Sequence, residues 1–131
     1  MKHPILFGVL LTLSVAVQAQ TQFVGQWQTR TSPVTGKPTV TVNIAEKENS
    51  LNGTVILVNP DGTQRELPIL SPEVGGKELQ FHTDDEGATF DWRLTLKKGN
   101  RRAFLHGSDR RAAKGGQGGE MVIDEEVVKT P

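Results

Sequence analysis

The sequence predicts an all-β protein, a single antiparallel meander of about eight strands that closes into an up-and-down barrel. Apolar and polar residues alternate with a period of two in most runs beyond residue 24, which is typical of half-buried strands. Turn-forming residues such as Asp61-Gly62 separate these runs and allow the positive φ of tight hairpins. No run shows a helical apolar stripe longer than about two turns.

The clearest strand covers residues 89–97, where Phe90, Trp92, Leu94 and Leu96 share one face. Between the turns, the alternating runs predict strands at 24–31, 39–45, 51–58, 64–70, 77–83, 89–97, 101–107 and 120–129. Pro68 lies inside the fourth run and has no N–H to donate to a sheet. We therefore expect that strand to be irregular, bulged or at an edge.

The links between the predicted strands are short, which favours a barrel because closure removes exposed sheet edges. A two-sheet β-sandwich is the alternative. A sandwich usually needs a long connection between its sheets, and only residues 108–119 are long enough to supply one.

The first 19 residues have the pattern of a secretory signal peptide. Lys2 gives the positive start, residues 5–17 form an apolar run, and Val17 and Ala19 place small residues before the cleavage point. This run is shorter than the roughly 20 apolar residues that span a membrane. We expect residues 1–19 to be removed and residues 20–131 to form one domain, periplasmic or extracellular.

The composition excludes several classes of site. The chain has no cysteine, so disulfides, thiolate metal sites and cysteine nucleophiles are excluded. Its 15 basic residues are balanced by 15 acidic residues, which argues against a dedicated nucleic-acid binder. Neither Gly-x-Ser-x-Gly nor His-Glu-x-x-His occurs. We expect no cofactor, no metal site and no catalytic residues.

Gly25-Gln26-Trp27 opens the first predicted strand and resembles the Gly-x-Trp signature of lipocalins and their relatives, the calycins. The layout of residues 51–54, 61–62, 74–81 and 104–107 also resembles small exported lipocalin-like domains of bacteria. The resemblance implies a barrel in which Trp27 closes one end and packs against a basic side chain from near the last strand. Lys129 lies late enough in the chain to be that partner.

The resemblance implies a fold more directly than a function. We expect a non-catalytic protein that binds a small apolar ligand or a partner protein outside the cytoplasm. The candidate ligand-binding residues are the aromatic residues of the apolar faces, Trp27, Phe81, Phe90 and Trp92. A barrel filled by its own side chains is favoured over a hollow one, because few small residues oppose the large ones.

Two other functions stay open. Some periplasmic protease inhibitors use a similar small barrel and insert their N-terminal segment into the protease; here that segment would be residues 20–24. An enzyme could pair His106 with Glu120 or Asp124, although the sequence indicates no cleft for such a pair. His82, near Asp84 and Asp85, is interpreted as part of a solvated hairpin tip because EF-hand spacing is absent.

Basic residues are concentrated between Arg93 and Lys114, and acidic residues in the last strand. One interpretation is a set of ion pairs across neighbouring strands, which stabilise by about 0.2–1 kcal/mol each. The functional alternative is a surface loop in which Arg110, Arg111 and Lys114 contact an anionic partner. Nucleic acid is disfavoured as that partner because no aromatic residue is interleaved to stack on bases.

Overall fold

The computed structural model of the chain describes residues 20–110 and 122–131. The predicted signal peptide, residues 1–19, lies outside the described residues, and so do Arg111, Lys114 and Glu120.

The described residues form one antiparallel sheet of nine strands in the order β4-β3-β2-β1-β9-β8-β7-β6-β5. Its first and last chain strands, β1 and β9, pair with each other, and the sheet curls into a nearly closed barrel. The all-β meander predicted from the sequence is confirmed. The strands are β1 (Gly25–Gln28), β2 (Val40–Lys47), β3 (Ser50–Val58), β4 (Gln64–Pro68), β5 (Leu70–Gly75), β6 (Glu78–Asp85), β7 (Ala88–Leu96), β8 (Arg102–Asp109) and β9 (Val122–Lys129).

The predicted fourth strand is split in two. β4 ends at Pro68 and pairs with β3, whereas β5 begins at Leu70 and pairs with β6. The pairing of β5 shifts register between Leu70 and Glu73, and Ser71 has a φ of 51°. The expectation of an irregular edge strand around Pro68 is therefore confirmed, while β5 itself was not predicted as a separate strand.

The remaining seam of the barrel lies between β4 and β5, the two edges of the sheet. Arg65 of β4 forms an ion pair with Asp85 of β6 across this seam. The bent segment that joins β4 to β5 thus passes from one wall of the barrel to the other.

The interior is packed with side chains from the inward faces of the strands. Trp92 lies at its centre, with ring centroids 6.3 Å from Phe81 and 5.9 Å from Phe90. The indole N–H of Trp92 donates a 3.0 Å hydrogen bond to the hydroxyl of Thr83, which satisfies the polar end of this buried ring.

Gly107 makes room for Trp92. The two residues are directly opposite each other on β8 and β7, and a Cβ atom on Gly107 would lie 2.5 Å from the Trp92 ring. That separation is far below van der Waals contact, so a side chain at position 107 would displace the central indole.

We predict that Gly107→Ala lowers the free energy of unfolding by about 1–3 kcal/mol, because the added methyl group overpacks the barrel against Trp92. Gly75→Ala is the matched control, since a Cβ atom there has nothing within 4 Å. Urea unfolding followed by Trp fluorescence measures both variants. Equal stability of the two variants would contradict the packing described for Trp92.

Candidate functional site

One end of the barrel is closed by residues 20–24. Backbone N–H groups of Phe23 and Val24 donate to the carbonyls of Gln20 and Thr21 at 3.0 and 3.1 Å, which folds the segment into a turn. The Phe23 side chain is fully buried. Gln22 also donates a side-chain hydrogen bond of 3.1 Å to the carbonyl of Gly76, so the turn is tied to the β5–β6 connection.

Trp27 lies beneath this turn and is fully buried. Its indole N–H donates to the carbonyl of Phe23 at 3.0 Å. The ammonium of Lys129 lies 4.9 Å from the centroid of the Trp27 ring and donates to the carbonyl of Gln22 at 3.2 Å. Lys129 therefore joins the last strand, the first strand and the N-terminal turn.

Burial lowers the pKa of Lys129 below its usual value, and the positive charge of Arg101 lowers it further. The contact of a cation with an aromatic ring offsets part of the free-energy cost of desolvating the cation, because the ring face carries partial negative charge. Lys129 occupies the place that the resemblance implies for the basic partner of Trp27.

We predict that Lys129→Met lowers the free energy of unfolding by about 1–2 kcal/mol, through loss of the contact with Trp27 and of the bond to Gln22. Lys98→Met is the control, because Lys98 is exposed in the β7–β8 turn. Thermal unfolding and the emission maximum of the buried indoles test the prediction. An unchanged midpoint and emission for Lys129→Met would refute it.

The opposite end of the barrel contains a cavity of about 330 Å³, which we call the mouth cavity. Val34 from the β1–β2 connection, Val40 of β2, Leu57 of β3 and Ile123 of β9 give it an apolar lining. Val34 is 76% exposed and Val40 only 1% exposed, so they form its outer lip and its floor. Arg65 contributes a cation to its rim.

The four aromatic residues predicted to bind a ligand lie elsewhere. Trp27 is at the closed end, while Phe81 and Phe90 each contact the ring of Trp92 in the barrel interior. None of the four is among the residues that line the mouth cavity. The structure thus brings Phe81, Phe90 and Trp92 together in the packed interior of the barrel.

Val34 and Ile123 are two lining residues that the sequence pattern does not mark as part of a site. Val34 lies outside every strand, so no periodicity marks it. Ile123 is separated from Val127, the next inward-facing apolar residue of β9, by Glu125. The alternation of apolar and polar residues in β9 therefore indicates only weakly that Ile123 faces inward.

The barrel wall opens between β1 and β9. These strands share only two residue pairs, Trp27 with Lys129 and Gln28 with Val128. After Gln28 the chain follows β2 instead, with Thr29 N–H donating to Val40 at 3.1 Å. Two cavities of about 560 and 250 Å³ lie along this opening, and both are lined by Arg30 and Glu126.

His106 and Asp124 face each other across β8 and β9, with 3.3 Å between Nδ1 and Oδ1. Both side chains are on the outer wall, because the neighbouring Leu105 and Gly107 face the interior. The pair predicted as an acid–base alternative therefore exists in space but lies outside the mouth cavity. Within residues 20–110 and 122–131, no three His, Cys, Asp or Glu residues are grouped to hold a metal ion.

The outer wall carries ion pairs between neighbouring strands. Lys97 lies 2.7 Å and Arg102 3.9 Å from Glu126. Arg110, one of three residues predicted from sequence to contact an anionic partner, donates two hydrogen bonds of 3.0 and 2.7 Å to Asp91. Lys97, Arg102 and Arg110 thus take part in ion pairs across neighbouring strands, as the structural interpretation of the charge pattern predicted.

Hydrogen bonding from Arg110 lowers the pKa of the Asp91 carboxyl, with smaller contributions from the charges of Arg110 and His82. A carboxyl with a lowered pKa in the folded state stabilises the fold above its unfolded pKa. This stabilisation is lost as the pH falls through the acid range.

We predict that the coupling between Asp91 and Arg110 is present at pH 7 and absent near pH 2. The single variants Asp91→Asn and Arg110→Gln and the double variant form a double-mutant cycle, with chemical unfolding as the measurement. Protonation of Asp91 removes its charge at low pH, so the three variants should then show additive stabilities. Coupling of equal size at both pH values would contradict the assignment.

Comparisons with known proteins add no family to these observations. No protein-family model matches the chain, and no curated protein matches its sequence. In the described part of the chain, no helix is long and apolar enough to cross a membrane.

Proposed function

We propose that this chain is an exported, lipocalin-like binding protein that holds a small apolar ligand, or an apolar side chain of a partner protein, in the mouth cavity. The observation that carries the proposal is the cavity itself. It has an apolar lining from four separate segments of the chain, and its volume of about 330 Å³ is at the lower end of the range for small-molecule sites.

The closed end of the barrel supports the lipocalin-like assignment. The Gly-x-Trp residue Trp27 has a basic partner from the last strand, Lys129, over its ring. The pattern of residues 1–19 supports export.

The packing of the interior favours binding at the mouth over binding deep in the barrel. Trp92 fills the centre against Phe81 and Gly107. Val40 and Val55 are 1% and 0% exposed and lie below the mouth. A ligand would contact the lip and floor of the mouth cavity without displacing these residues.

A non-catalytic role agrees with the position of the His106–Asp124 pair on the outer wall. The protease-inhibitor alternative is less well supported, because residues 20–24 are folded against the barrel and Phe23 is fully buried. Insertion of that segment into a protease would require removal of a core side chain.

The test is a titration of the purified protein with N-phenyl-1-naphthylamine, an apolar probe whose fluorescence rises on leaving water. We expect saturable enhancement with the wild type, and affinity at least about tenfold weaker for Val34→Asp, because a charge at the lip must be desolvated. Val128→Asp is the matched control, since Val128 is also an exposed valine (49%) but lies outside the mouth cavity.

No enhancement with the wild type would overturn the proposal, and so would equal weakening by both variants. Native mass spectrometry of the protein recovered after export would identify a bound apolar molecule directly.

A further inference from the structure

The edge of β9 that faces β1 has backbone groups that no strand of residues 20–110 or 122–131 pairs with. Lys129 N–H donates to Arg101, on the β8 side, at 2.8 Å, while Thr130 N–H donates to Gln26, on the β1 side, at 2.9 Å. The backbone N–H and C=O groups of successive residues point to opposite sides of a strand. Those of Val122, Asp124 and Glu126 therefore point to the β1 side.

The pairing of β1 with β9 reaches only Val128. Among the described residues, no other strand pairs with β9 on this side between Val122 and Val127.

There is open space beside this edge. The cavity of about 250 Å³ is lined by Arg30, Glu125 and Glu126, and the larger cleft of about 560 Å³ continues it past Val128. At the other end of the edge, Ile123 belongs to the mouth cavity. Among the described residues, open space therefore lies beside Glu125, Glu126 and Val128, and an apolar cavity lies at the Ile123 end of the edge.

We propose that β9 binds an extended peptide segment of a partner protein by strand addition at this edge. The backbone groups of Asp124 and Glu126 bond to the peptide. An apolar peptide side chain opposite Ile123 enters the mouth cavity, and a Lys or Arg side chain opposite Glu125 pairs with its carboxylate. In this mode the backbone supplies affinity, and pockets for alternate side chains supply specificity.

The register supports this side-chain pattern. Ile123 is opposite Gly107, and Glu125 is opposite Leu105, so both face the inner side of the sheet. Glu126 is paired with Lys97, and Asp124 with His106, whereas Glu125 has no ion pair with any described residue. The peptide residues opposite Ile123 and Glu125 are two positions apart. In antiparallel addition the residue opposite Glu125 comes first, which gives a basic-x-apolar motif.

A second copy of the chain fits this edge poorly. In antiparallel pairing of two β9 strands centred on Asp124 or Glu125, acidic residues of one copy lie directly opposite acidic residues of the other. Like charges in that position destabilise a sheet, and an inward-facing charge such as Glu125 is a common protection of exposed edges. The acidic edge therefore favours a partner with basic residues.

The test begins with selection of random twelve-residue peptides, displayed on phage, against the protein purified after export. We expect selected peptides to share the basic-x-apolar motif and to protect the amide protons of Asp124 and Glu126 from hydrogen exchange. The amide protons of Glu125 and Val127 point to β8, so their exchange should not change. Peptides that bind without protecting Asp124 and Glu126, or a selection that yields no binder, would overturn the proposal.

Glu125→Lys should weaken a selected basic peptide at least about tenfold through charge repulsion. Glu66→Lys on the exposed face of β4 is the control and should have no effect. Protection of Asp124 and Glu126 that rises with protein concentration in the absence of peptide would assign the edge to self-association and overturn the proposal.

This inference uses the mouth cavity of the proposed function only for the apolar peptide side chain. Failure of the naphthylamine titration with retained edge protection would overturn the apolar-ligand proposal alone. Probe binding at the mouth without any edge protection would overturn strand addition alone.

Discussion

The contact between Trp27 and Lys129 joins the first strand of the chain to the last, and the curled sheet depends on this junction. The chain has no cysteine to supply a disulfide, and β1 and β9 share only two residue pairs. Few backbone hydrogen bonds therefore hold the first strand to the last. The cation over the buried indole, the bond from Lys129 to Gln22 and the buried Phe23 add the side-chain contacts that this short junction requires.

The same short junction produces both candidate binding surfaces. Because the chain leaves β9 after Gln28 and follows β2, the connection that carries Val34 extends over the mouth, and the β9 edge stays without a strand partner among the described residues. A longer β1 would continue along β9 and occupy that edge. The short length of β1 thus has two consequences. It pairs with β9 only near Lys129, and the rest of the β9 edge has no strand partner among the described residues.

The interior and the outer wall have different roles. The interior is filled around Trp92, and Gly107 is the residue that allows the indole to lie there. The outer wall carries charges that pair across strands, such as Arg110 with Asp91. These exposed pairs contribute little to stability individually, but they occupy most of the described basic residues that the sequence concentrates near residue 100. The apolar binding that we propose is therefore assigned to the mouth cavity.

Alternation of apolar and polar residues was enough to predict the meander, the inward face of β7 and the disruption near Pro68, because these are local consequences of strand geometry and of the missing proline N–H. Trp27 was singled out from a short motif, and Lys129 from its late position.

The early end of β1, the separate strand β5 and the mouth cavity could not be predicted in this way. They depend on which strand each backbone group bonds to. They also depend on tertiary packing, such as the packing that places Val34 and Ile123 in the lining of one cavity. Residues far apart in the chain are brought together there only when the sheet curls, and a period of two carries no information about that curvature or about where pairing changes partners.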